Sequence, residues 1–193
     1  MNFKNAFALV LVLEVLVIVL AIINYGWTLE GLQATTRFSG RLSLMIFSVI
    51  FLFYNYPGLN VRRLLSDKFF LVFAIAHGIH LCGLLSFIYF SKNPLNPLRA
   101  AGGMLAYAMI FIMPLIQQNF HEKKLTEKLF NRATLIYFFY VWFIFVMTYV
   151  PRVRGTAQNV GGTYMESVVL LGWVVLMMLF KLYQLFVTQR ARG

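Results

Sequence analysis

Two histidines three residues apart, His77 and His80, lie inside an uncharged run of 22 residues, Phe69 to Phe90. A helix of that length spans about 30 Å, the thickness of a bilayer's hydrocarbon core. The pair falls 9 and 12 positions into the run, well inside the membrane. Ionisable groups at that depth are costly and tend to mark a function. Spaced i, i+3, both imidazoles share one helix face. Three chemistries follow: axial ligation of haem iron, proton transfer, or plain hydrogen bonding to a neighbouring helix. One helix face cannot serve both faces of one haem. A bis-histidine site therefore needs a ligand from another helix.

Glu14 is the one acid deep in a span, ten positions into the first apolar run. A charged carboxylate there costs several kcal/mol, so it is expected to be protonated or paired. His77 and His80 are the basic groups at similar depth, which makes a Glu14–histidine contact and a proton relay the expectation. A serine or backbone partner is the alternative. Arg37 and Arg41 are one helical turn apart at the mouth of the second span. With Arg99 and Arg152 they are placed to hold carboxylates such as haem propionates, or else lipid headgroups by snorkelling. His121 falls in the charged connector QQNFHEKKLTEKLFNR, where a solvated role is expected. Cys82, the single cysteine, reads as an inert thiol in an apolar helix.

The elements that must position these groups are membrane helices. The chain is 61% hydrophobic and 12% charged, against about 25% charged in soluble domains. Six spans are read: Asn5–Ile23, Phe38–Tyr56, Phe69–Phe90, Ala100–Ile116, Ala133–Val150 and Met165–Val187. Pro57-Gly58 ends the second, Pro114 is expected to kink the fourth, and Pro151 stops the fifth. The reading is an all-α, polytopic six-helix bundle, with residues 1–193 forming one transmembrane domain. Alternate assignment of lysines and arginines puts eleven on the side of the termini and six on the other. That bias puts both termini in the cytoplasm, and the expected location is the inner (plasma) membrane. The net charge of +11 lies in short loops, so it reads as membrane-loop charge with no nucleic-acid partner.

The order Arg37-Phe38-Ser39-Gly40, Pro57, Arg62-Arg63 and then His77 or His80 resembles ferric-reductase-like transmembrane domains, of the kind found in the membrane b-haem subunit of methionine sulfoxide reductase systems. Leu129-Phe130-Asn131-Arg132 leading into an aromatic helix is similar to that family's second half. The resemblance implies a haem b bound by a histidine of the third span, and electron transfer. It also implies further histidines in the fifth span. This chain has Thr134, Tyr137 and Thr148 there, and no histidine after His121.

The leading expectation is a redox-related membrane subunit. It would hold one b-type haem, or interact with a quinone, and pass electrons to a membrane or periplasmic protein partner. His77 or His80 would ligate the metal, Arg37 and Arg41 would hold the cofactor's acids, and Glu14 would tune the site. A small proton-coupled transporter built on Glu14, His77 and His80 is the second reading. A scaffold subunit without chemistry is the third.

Overall fold

The computed structural model describes residues 2–54, 61–92, 97–157 and 161–190. These fold into α1 (Phe3–Tyr25), α2 (Leu29–Phe53), the short α3 (Val61–Leu64), α4 (Phe69–Ser91), α5 (Pro97–His121), α6 (Glu127–Val153) and α7 (Tyr164–Arg190). Among the described residues there is no strand. Every helix except α3 is long and apolar enough to cross a membrane, six in all. Lipid offers a backbone no hydrogen-bond partners, and a helix satisfies its own. The chain is a multi-pass membrane protein.

Several helices outrun their apolar stretches. The second starts at Leu29, nine residues before the expected Phe38, with the Thr28 side chain accepting from the Gly31 N–H as its cap. The sixth element starts at Glu127 on a Thr126 cap. Pro114 and Pro151 both lie inside helices, so neither ends one. Hydropathy locates the hydrocarbon layer, whereas caps locate helix ends, and the two differ here by one to three turns. The second span closes at Phe53, before Pro57-Gly58, which lies outside the described residues, as does most of the proline turn after α4.

Helix α2 is the centre of the bundle and packs on α1, α4 and α7. Its inner face carries Leu44, Phe47, Ile50 and Phe51, none of them exposed. Phe47 lies 5.5 Å from Phe51, 5.6 Å from Phe73 and 5.4 Å from Phe145, ring centre to ring centre. Polar ties fix the outer helices to this core. Trp173 donates to the Ser48 hydroxyl (2.9 Å) and Trp142 to the Val174 carbonyl (2.9 Å). Tyr140 donates to the Gly102 carbonyl (3.1 Å), joining α6 to α5. At the end of α2, Lys181 donates to the Tyr54 carbonyl and Gln184 to that of Leu52. Those carbonyls have no partner within α2, so α7 supplies the cap.

Glu14 faces this framework from α1. It is buried, and the Ser39 hydroxyl donates to its Oε1 at 3.0 Å. Its Oε2 has no hydrogen-bond partner among the described residues. The structure therefore seats Glu14 on α2 through a serine, where a histidine contact was expected. A double-mutant cycle on Glu14→Leu and Ser39→Ala is expected to show coupling of about 0.6 kcal/mol, as buried membrane hydrogen bonds average. Strictly additive losses in detergent unfolding would remove that contact from the account.

Candidate functional site

A cavity of 330 Å³ lies among α2, α4, α5 and α6, at the low end of small-molecule sites. It is lined by Arg37, Arg41, His77 and His80, the four residues expected to bind a cofactor, and by Arg152. The side chain of Arg99 lies outside the described residues, and Glu14 does not line the cavity.

His80 owes its position to two glycines. At Gly40 a Cβ would fall 3.0 Å from the His80 ring carbon Cε1. At Gly83 a Cβ would fall 3.2 Å from the Thr36 hydroxyl. These small residues let α2 and α4 approach closely enough for His80 Nδ1 to reach the Thr36 carbonyl at 3.0 Å. A carbonyl only accepts, so Nδ1 carries the proton and donates. In the neutral ring Nε2 then keeps its lone pair. Nε2 makes no hydrogen bond among the described residues. A histidine braced through one nitrogen by a backbone carbonyl is the usual arrangement of a metal ligand. Gly40→Val is expected to push the ring off Thr36 and cost about 1–3 kcal/mol of stability. Thermal unfolding and cofactor retention check this together.

His77 is held differently. Its ring sits between Phe73 (5.3 Å) and Tyr107 (4.8 Å), and its Nδ1 is buried without a partner. The His77 and His80 ring centres are 5.3 Å apart. Facing them, α6 contributes Val141, Ile144, Phe145 and Thr148, none of which is an imidazole. Thr148 lines the cavity, while Thr134 and Tyr137 lie in the buried core elsewhere. His121 belongs to a separate cleft with Arg62, Lys123 and Lys124, at the other end of α5. In that cleft Lys124 lies 2.6 Å from Glu122, and its hydrogen bond holds that carboxyl below the ordinary range.

The mouth of the cavity is cationic, and aromatic rings hold the cations in place. Arg37 and Arg41 lie over the ring of Phe38, at 5.2 and 5.1 Å, and Arg152 over Tyr149 at 5.9 Å. Arg41 pairs with Glu166 at 2.7 Å. Glu166 also accepts from the Thr163 N–H at 3.0 Å, so the start of α7 holds it there. The φ values of Gly161 (+59°) and Gly162 (+84°) are ones that residues with a Cβ rarely adopt. A Cβ on Gly161 would meet Arg37 Nη1 at 2.6 Å. The histidines and arginines were legible in the sequence. Gly40, Tyr107 and Glu166 were not, and only Glu166 left a signal: an acid at the very start of a span, opposite an arginine pair.

Comparison with known proteins returned no match among family models, curated proteins or solved structures. The molecule is defined by its own geometry: a six-span membrane protein with a cavity that has imidazoles inside and guanidiniums at its mouth.

The donor set can be tested against a haem. Among the described residues no group of three or more histidine, cysteine, aspartate or glutamate side chains gathers to hold a metal ion alone. A haem needs less, because the porphyrin supplies four nitrogens. His80 would hold its iron and the arginines its propionates, whereas the 330 Å³ volume is small for a whole tetrapyrrole. Two histidines on opposite faces do not fit, because His77 shares the His80 face and His121 lies elsewhere.

Proposed function

We propose that this chain is a redox-related membrane subunit whose cavity holds one b-type haem through a single imidazole, that of His80. The observation that carries the reading is the braced His80 ring, with Nδ1 on the Thr36 carbonyl and Nε2 free, in the same cavity as Arg37, Arg41 and Arg152. When bound, the haem supplies a one-electron couple. The chain would supply orientation through His80, charge neutralisation through the arginines, and an aromatic wall from Phe145 and Tyr107. His77, stacked on Phe73 and tilted against Tyr107, packs beside the ligand. Loop charge supports cytoplasmic termini, and the membrane is proposed to be the plasma membrane. Electrons would pass to a membrane or periplasmic partner.

The test is the visible spectrum of protein purified in detergent from haem-supplied cells. A Soret band that carbon monoxide shifts in the reduced state is the expected result, since one face lacks a protein ligand. Sharp α and β bands with no response to carbon monoxide would mean a second strong ligand and overturn the single-imidazole site. A colourless protein at full haem supply would overturn the haem itself.

A quinone is the second reading. The cavity volume favours it, since 330 Å³ suits a one-ring headgroup more readily than a tetrapyrrole. His80 and Tyr107 would then contact the quinone oxygens. Solvent extraction of the colourless protein would recover the quinone in stoichiometric amount.

A further inference from the structure

We infer that the mouth of the cavity is a binding site for a doubly charged oxyanion, of the kind carried by a phosphate monoester, with Glu166 as its resident competitor. Arg37, Arg41 and Arg152 all line this one cavity. One carboxylate, that of Glu166, answers them, through Arg41. Among the described residues neither Arg37 nor Arg152 forms an ion pair. The three guanidiniums and one carboxylate leave two positive charges. The Nε atoms of both Arg37 and Arg41 are buried and have no hydrogen-bond partner among the described residues. Buried guanidinium N–H groups without acceptors are costly, and an oxyanion would satisfy them bidentately. The site is also preorganised. Phe38 and Tyr149 fix the three side chains by cation–π contact, so little rotamer freedom is left to lose on binding.

Below this mouth the wall is largely apolar, with Leu84, Phe87 and Ile144 beside the two imidazoles. Charged head and apolar body together fit an anionic amphiphile. A phosphate head on a lipid and a free phosphate share the same chemistry at the arginines, and experiment separates them. The inference rests on the arginines alone, and a haem's propionates would compete for the same guanidiniums.

The experiment measures thermal unfolding of the purified protein in a neutral detergent. The additives are short-chain phosphatidic acid, the matching diacylglycerol, and inorganic phosphate, all at one ionic strength. Phosphatidic acid is expected to raise the midpoint saturably, and diacylglycerol is not. A rise with inorganic phosphate alone would keep the oxyanion site and assign it to a free anion. Equal effects of phosphatidic acid and diacylglycerol, or no effect of any additive, would overturn it. Arg37→Gln with Arg152→Gln is expected to weaken the response about tenfold. Glu166→Gln is expected to move it the other way and tighten binding, because the competing charge is gone. Should the double arginine variant fail to fold, Glu166→Gln decides. Tighter binding upholds the inference, and unchanged or weaker binding overturns it. The readings are taken on protein purified without added haem and showing no Soret band, because propionates on the same arginines would occupy the site; the haem proposal, tested by spectrum in haem-supplied cells, and this one then fail separately.

Discussion

His80→Ala is expected to erase the haem absorption that His77→Ala leaves largely in place. The two imidazoles share a helix face and a cavity, yet their surroundings differ. His80 has its Nδ1–H on a backbone carbonyl at 3.0 Å, which fixes both tautomer and ring plane. His77 Nδ1 is buried with no acceptor, and its ring is clamped between Phe73 and Tyr107. In the proposed site, losing this ligand would remove the iron bond together with the carbonyl that orients it, and loss of such an orienting partner alone commonly costs 10–100-fold in metal affinity. His77→Ala instead opens a small void beside Tyr107, with an expected cost of about 1–2 kcal/mol in stability and a spectral shift of a few nanometres. His80→Gly leaves a hole the size of the lost ring, and added imidazole is expected to restore the Soret band there. If His77→Ala loses the band and His80→Ala keeps it, the assignment reverses.

The sequence carried the site in unequal parts. His77 and His80 stood out because ionisable groups are rare at mid-membrane depth, and the structure places both in one cavity with Arg37 and Arg41. The extent of α2 was not legible. Polar residues from Glu30 to Arg37 read as loop by hydropathy, yet they form the first two turns of a capped helix. Placing Arg37 inside the helix, eight residues after its first, is what lines the cavity with it. Glu14 shows the limit of arguing from depth. Depth made the histidines its natural partners, but which side of α2 each helix packs on decides contact, and Ser39 took the place. Periodicity reports a shared face and is silent on the neighbour across it. Gly40 was visible as a residue, while its purpose depended on a ring 40 positions away in the chain.

The largest stability effect in the core is expected at Phe47, which is fully buried and within 5.6 Å of Phe51, Phe73 and Phe145. In a soluble protein Phe→Ala costs about 3–5 kcal/mol, as a transfer term plus a cavity term. In a bilayer the transfer term nearly vanishes, because a helix released from the bundle exposes its phenylalanine to lipid tails. The cavity term remains. For a void of about 100 Å³ at about 24 cal/mol per Å³, it comes to about 2.4 kcal/mol. Met45, two residues earlier, is 47% exposed on the lipid-facing side. Met45→Ala leaves no void, so its cost is expected to stay within about 0.5 kcal/mol. Detergent-denaturant titration of the two variants against the parent checks the pair. A Phe47→Ala loss near 5 kcal/mol would mean that the released state is hydrated, and that these helices leave the lipid when they come apart. Equal losses at both positions would mean that α2 does not present the Phe47 face to the bundle, and the aromatic core would have to be redrawn.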